Sequence, residues 1–250
     1  MNITQKSDHQ CPAGDRLAFT LIELLVVISV IAVLAAFTIP VAGAIKKKEF
    51  INSAQAQMTL IETALESYKA DHGFYPPCNP NNAFTNQLYY ELVGTATNVV
   101  NASLAYEPLD GGPALLASDA TAYFGSGGII NCTQGSGEDA KKARSYLLDL
   151  KPGQTATNGN GVKILVASVN GPDSLYQPLT LFTTGNGNHA NPFRYVYPGT
   201  NNPGSYDLWV QLSIGSVFNT ATPPPNNIAT PKTYLICNWS KQIQVNNSLP

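Results

Sequence analysis

The sequence predicts an α+β protein in which a long N-terminal helix packs on an antiparallel sheet. An apolar run from Phe19 to Ile45 leads into an amphipathic helical pattern that ends near His72. In the C-terminal part, residues 206–214 alternate apolar and polar side chains, as a strand does. The stretch between them is rich in Gly, Asn, Pro, Ser and Thr, which indicates many turns.

The first half of the predicted helix carries a single charge. The run from Phe19 to Ile45 would be about 40 Å long as a helix, enough to cross a bilayer. Glu23 is costly in such a segment, so we expect a positive partner from another molecule, or else a position at the membrane interface. Pro40 lacks an amide hydrogen and predicts a bend over residues 38–43.

The second half of the helix carries one apolar stripe, which we expect to face the sheet. The stripe consists of Phe50, Ala54, Met58, Ile61, Leu65 and Tyr68. Gly73 followed by Pro76 and Pro77 predicts the end of the helix. The three lysines at 46–48 are interpreted as a solvated helix face that touches lipid headgroups.

The rest of the chain gives weaker patterns. Residues 206–214 and 233–239 are predicted strands of one sheet, and the apolar, β-branched run at 162–169 is a third strand. Apolar spacing over 138–150 predicts a helix.

The first eighteen residues form a polar leader with no apolar core of its own. In an ordinary secretory signal the cleavage site follows the apolar run, and Ala32, Ala35 and Ala36 leave that alternative open. Here a small residue, Ala18, precedes the run directly. Because the run continues directly into a helix, a cut after the run is the less favoured alternative.

Composition excludes several function classes. The net charge is −2 and 12% of residues are charged, with no basic, aromatic-rich patch for nucleic acid. The three histidines are isolated, and no nucleophile-elbow, phosphate-loop or zinc-protease motif is present. We therefore expect no enzymatic activity.

Four cysteines occur, and Cys11 lies in the leader. Cys78, Cys132 and Cys237 are left, so at most one intramolecular disulfide can form, and free buried thiols are the alternative. Their spacing does not match a zinc site.

The stretch Ala18–Ile28 resembles the N-terminal signal of type IV pilins and type II secretion pseudopilins. The resemblance implies that a prepilin peptidase cuts between Ala18 and Phe19 and methylates the new amine of Phe19. It also implies that Glu23 pairs with the amine of a neighbouring subunit during assembly. The family usually has Gly before the cut, where this chain has Ala18.

Two further stretches are similar to the major pseudopilin of type II secretion. Residues 65–76 match the end of its long helix, and residues 191–209 match its Asn-Pro-Tyr hairpin and Tyr-Asp-Leu strand. The resemblance covers residues 19–77 well and 190–214 in part. That subunit binds calcium between its last strands, but the loop 215–231 here has no carboxylate, so we expect no cofactor.

The resemblance implies a pilin-like division of the chain. The predicted parts are a leader (1–18), a transmembrane or filament-core helix (19–45), its amphipathic continuation (46–72) and a periplasmic domain (73–250) with a loop-rich insertion (78–190).

The implied function is that of a pseudopilin, a single-pass inner-membrane protein that assembles into a filament. Its implied partners are the prepilin peptidase, copies of itself, other pseudopilins, the inner-membrane assembly platform and membrane lipid, with no nucleic acid. A type IV or DNA-uptake pilin and a membrane-anchored binding module are the alternatives.

Overall fold

A computed structural model describes residues 20–100, 102–125, 127–134, 142–169, 171, 182–183, 190–214 and 232–245. The side chains of residues 36–44 are not part of this description. The chain divides into two compact units, Met1–Lys46 and Lys47–Pro250. Helix α1 (Leu21–His72) contributes residues to both units.

In the first unit, α1 is a helix of almost wholly apolar residues. It begins after Thr20, and its helical backbone continues through Pro40. The bend predicted over residues 38–43 is not tested and stays a prediction. Among the described residues, no helix meets the length and apolarity needed to cross a bilayer.

In the second unit, α1 buries the predicted apolar stripe, with one correction. Ala54, Ile61 and Leu65 are buried as predicted, but Phe50 is 41% exposed and Ile51 is buried in its place. The stripe therefore begins one residue later than predicted. At the other end, Gly73 adopts a positive φ of 83° and donates its amide hydrogen to Lys69 O at 2.8 Å, which confirms the predicted helix end.

The C-terminal sheet has the order β11-β10-β9-β8 and is antiparallel throughout. Its strands are β8 (Arg194–Val196), β9 (Asp207–Ile214), β10 (Lys232–Cys237) and β11 (Ser240–Val245). The two strands predicted here are confirmed. Both faces of β9 are buried from Asp207 to Ser213, so its alternating polar residues do not face solvent.

The middle of the chain forms two short helices and two small sheets in its described part. The helices are α2 (Leu88–Val93) and α3 (Ala117–Phe124). A four-stranded sheet of order β3-β2-β1-β4 combines β1 (Thr95–Val100), β2 (Ser103–Pro108), β3 (Leu115–Leu116) and β4 (Cys132–Thr133). A three-stranded sheet of order β6-β5-β7 combines β5 (Thr155–Asn158), β6 (Lys163–Leu165) and β7 (Phe182–Thr183). The strand predicted at 162–169 is confirmed only over the three residues of β6.

The helix predicted at 138–150 is wrong over its described part, 142–150, which is irregular. Two backbone amides there, those of Tyr146 and Leu147, donate to Leu92 O at 2.7 and 3.1 Å. Asp149 has a positive φ of 56°, which an α-helix does not allow. Long-range hydrogen bonds thus replace the local ones that the apolar spacing predicted.

One hydrophobic core joins these elements within the second unit. The apolar stripe of α1 meets β10 and β11 on one side and the region of β6 and Phe193 on the other. The predicted contact between the amphipathic helix and an antiparallel sheet is therefore present.

Candidate processing and assembly site

The start of α1 is closed by a reciprocal capping box. The Thr20 amide and hydroxyl both donate to Glu23 Oε2, at 2.9 and 2.8 Å. The Glu23 amide in turn lies 3.3 Å from Thr20 Oγ1, to which it donates. This exchange is typical of a Thr-x-x-Glu sequence at a helix N-terminus, where amide hydrogens have no intrahelical partner.

The carboxylate of Glu23 thus has a local structural role in a single chain. It also lies near the positive end of the helix dipole, which favours a negative charge there. Both effects hold the side chain folded back over the first turn. Sequence reasoning missed Thr20, although the Thr-x-x-Glu spacing was a readable signal.

Around this cap, the helix exposes apolar side chains on every side. Leu21 and Ile22 are 82% and 71% exposed, and the apolar residues from Leu24 to Leu34 are exposed as well. A helix that is apolar all round is stable only when lipid or other helices cover it. In this unit, the capped end and the uncovered apolar surface belong to one segment.

The other predicted site residues are placed as follows. Ala18 and Phe19 lie outside the described residues, so the predicted cleavage site stays a prediction. Pro40 lies within α1, and its side chain is not described.

The structure has the three remaining cysteines as free thiols. Cys78 Sγ donates to Tyr197 O at 3.2 Å, while Cys132 and Cys237 are buried in β4 and β10. Burial raises the pKa of both buried thiols. The three cysteines have different neighbours in this structure, and the choice between one disulfide and free thiols stays a prediction.

The loop predicted to have lost a calcium site, 215–231, lies outside the described residues. The nearest acid, Asp207, is buried and already accepts three hydrogen bonds from Asn201 and Asn202. Among the described residues, no group of three or more His, Cys, Asp or Glu side chains is arranged to hold a metal ion.

The capped, apolar helix start belongs to a recognised class of N-terminal segment. Residues 15–39 match the family model described as the prokaryotic N-terminal methylation motif. This match covers the predicted cleavage site, Glu23 and most of the apolar run.

Two curated proteins are similar to the chain over a longer stretch. It is 39% identical over 61 residues to the type II secretion system core protein G of Escherichia coli K12, covering 24% of this chain and 42% of that protein. It is 36% identical over 80 residues to the protein of the same name from Vibrio cholerae, covering 32% of this chain and 50% of that protein. The chain thus spans about half the length, or less, of these relatives, and no solved structure matches it. The motif and both relatives support the resemblance to the type II secretion pseudopilins.

Proposed function

We propose that the chain is a structural subunit of a type II secretion pseudopilus. The observation that carries the proposal is the N-terminal segment, which combines the methylation motif with a capped and almost wholly apolar helix. The similarity to two core G proteins supports the secretion filament over the pilus alternatives.

In this proposal, a prepilin peptidase removes residues 1–18 and methylates the amine of Phe19. The apolar segment 19–45 anchors the subunit in the inner membrane, with the second unit in the periplasm. The apolar side chains from Leu21 to Leu34 favour such burial, because they are exposed in the single chain. The bend at Pro40 would let neighbouring helices pack in the filament core.

Assembly then depends on the charge of Glu23. Within lipid or a helix bundle, a carboxylate and an amine are each costly alone and tolerable as a pair. The carboxylate has lone pairs beyond those that Thr20 engages. Glu23 can therefore keep its cap and also accept a hydrogen bond from a donor of another subunit. The amine of Phe19 in the next copy supplies that donor. The inner-membrane assembly platform and other pseudopilins are the remaining proposed partners.

The chemistry on this chain is done by the peptidase, and the chain itself is not an enzyme in this proposal. The proposed work of the second unit is to present a folded surface on the outside of the filament.

The test separates the charge of Glu23 from its cap. A Gln at this position still completes a capping box, so Glu23→Gln removes the charge and keeps the helix start. Glu49→Gln removes an exposed charge from the same helix and is the matched control. Each full-length variant is expressed with a type II secretion system, and membranes are analysed by N-terminal peptide mass and by cross-linking.

We expect the unaltered chain and Glu49→Gln to begin at methylated Phe19 and to form cross-linked multimers. Glu23→Gln should be cut but give mainly monomers. An intact leader in the unaltered chain, or full assembly of Glu23→Gln, would contradict the proposal. Loss of cleavage in Glu23→Gln would assign the charge to processing and also contradict its role in assembly.

A further inference from the structure

Glu91, in α2, is a fully buried carboxylate whose two oxygens are both held by hydrogen-bond donors. Oε1 accepts from Gln87 Nε2 at 2.9 Å and from the Ile130 amide at 2.8 Å. Oε2 accepts from the Tyr68 hydroxyl at 3.0 Å and from the Asn131 amide at 2.9 Å. Each oxygen therefore has one fixed backbone donor and one side-chain donor that can rotate.

The same carboxylate organises three separate segments. Tyr68 brings in the last turns of α1, and Asn131 brings in the loop before β4. The Asn131 side chain donates to Glu91 O and Arg144 O at 2.7 and 2.6 Å and accepts from the Arg144 amide at 3.0 Å. Glu91 and its partner Asn131 thus attach residues 128–134 and 142–147 to the two helices. The amides of Tyr146 and Leu147 at Leu92 O and the ion pair of Arg144 with Asp71 add to this attachment.

No cation pairs with Glu91 among the described residues. The salt bridge found among the described residues joins Arg144 to Asp71 at 2.7 Å, and it is largely exposed. The titratable side chains that interact electrostatically with Glu91 are Tyr68 of α1, Tyr106 of β2 and Cys132 of β4. Further titratable or charged groups on the surrounding elements include Asp71 and His72 of α1, Tyr89 and Tyr90 of α2, Glu107 of β2, Lys163 of β6, and Arg144 and Tyr146 of the irregular segment. The negative charge is therefore balanced by neutral donors alone.

The geometry accepts a proton on Glu91 without breaking its backbone hydrogen bonds. A proton on Oε2 can be donated to the Tyr68 oxygen after the hydroxyl rotates. A proton on Oε1 can be donated to the Gln87 amide oxygen after that amide flips. In either case, both carboxyl oxygens still accept from the amides of Ile130 and Asn131.

We propose that Glu91 is a buried proton-binding site through which pH controls how firmly residues 128–134 and 142–147 are attached to α1 and α2. Uptake of one proton removes a buried charge that hydrogen-bond donors balance only in part, and it keeps both backbone contacts. The attachment is therefore stronger in the protonated form.

The direction of the pH effect follows from the burial. Burial raises the pKa of Glu91 above its ordinary value of 4.5, and the four hydrogen bonds only partly oppose this. As pH falls, the folded protein binds the proton before the unfolded chain does. The free energy of unfolding therefore rises as pH falls from the raised pKa of Glu91 in the folded protein to its ordinary pKa in the unfolded chain. This is opposite to the usual effect of acid on paired carboxylates.

The test compares unfolding of the full chain in detergent micelles from about pH 4 to about pH 8, for Glu91→Gln and for the unaltered protein. Urea unfolding is followed by fluorescence of Trp209 and Trp239, the two tryptophans of the chain. A Gln has one acceptor oxygen, so it cannot satisfy the amides of both Ile130 and Asn131. Glu107→Gln, which alters an exposed carboxylate on β2, is the control.

We expect the ratio of folding constants, unaltered protein to Glu91→Gln, to rise as pH falls, by up to about tenfold per pH unit. Glu107→Gln should follow the unaltered protein. If Glu91→Gln does not fold, Tyr68→Phe serves instead, because losing this donor should move the transition to higher pH. A ratio independent of pH, a ratio that falls with pH, or an unshifted transition in Tyr68→Phe would each overturn the proposal.

Discussion

Asp207 offers a sharp test of how one buried carboxylate holds a loop. It is 2% exposed at the start of β9. Its Oδ2 accepts from the Asn201 amide and side chain at 2.8 and 3.1 Å, and its Oδ1 accepts from the Asn202 amide at 3.0 Å. In Asp207→Asn, one of these two atoms becomes an amide nitrogen. Whichever way the Asn side chain turns, a backbone donor then faces another donor.

The expected cost follows from these contacts. The donors at Asn201 and Asn202 are only partly buried, so water can replace part of what is lost, and the main cost is that of hydrogen bonds to a charged acceptor, about 1.5–3 kcal/mol each at most. We therefore expect Asp207→Asn to lower the free energy of unfolding by about 1–3 kcal/mol.

The assay is urea unfolding monitored by tryptophan fluorescence, and Trp209 lies two residues from the altered site. Asp149→Asn is the matched control, because Asp149 is exposed and Asn tolerates its positive φ of 56°. The control should stay within about 0.5 kcal/mol of the unaltered protein. An Asp207→Asn variant equally close to the unaltered protein would refute the inference that this carboxylate holds the loop at Asn201 and Asn202.

Three further outcomes are expected. Leu65→Ala should lower the free energy of unfolding by about 2–5 kcal/mol because Leu65 is fully buried, while Leu60→Ala should change it by less than about 1 kcal/mol because Leu60 is 57% exposed. When the processed chain is unfolded and alkylated, mass spectrometry should show that three thiols have reacted. If only one thiol reacts, the other two form a disulfide. Calcium and a chelator should give the same urea midpoint, whereas a higher midpoint with calcium would show that the chain binds the ion.

The sequence predicted the elements that show themselves within one short segment, either through hydrogen bonds inside that segment or through a repeating pattern of apolar side chains. Helix α1 was readable from its apolar period and from Gly73, and strands β9 and β10 were readable from their β-rich runs. The error at Phe50 is a shift of one residue. Phe50 and Ile51 are both apolar, and only the packing of the folded core decides which of them is buried.

The burial of β9 shows a different limit. Alternation predicts one solvated face, yet Gln211 and Ser213 are 2% and 5% exposed. A strand pattern reports which residues share a face but not whether other parts of the chain cover that face. The polar residues at these positions therefore gave no sign of their burial.

The middle of the chain was the least predictable because its contacts are distant in sequence. Residues 142–150 have helical spacing, but the Asn131 side chain and Leu92 O take up their backbone groups. Glu91 reads as an ordinary surface acid of a short helix, and only the folded chain brings Ile130 and Tyr68 to it. Such polar networks have no period that a sequence can display.

The capping box changes how the N-terminal acid should be understood. A carboxylate that only waited for a partner would be free to turn away in the single chain, whereas Glu23 is held over the first turn by Thr20. The cap orients the charge before any partner arrives, which lowers the entropic cost of forming an ion pair in an apolar surrounding. It also makes the acid serve two purposes, since the helix start needs an acceptor and the proposed assembly needs a charge. Gln can supply the acceptor for the helix start but neither the charge that the helix dipole favours nor the charge that the proposed assembly needs.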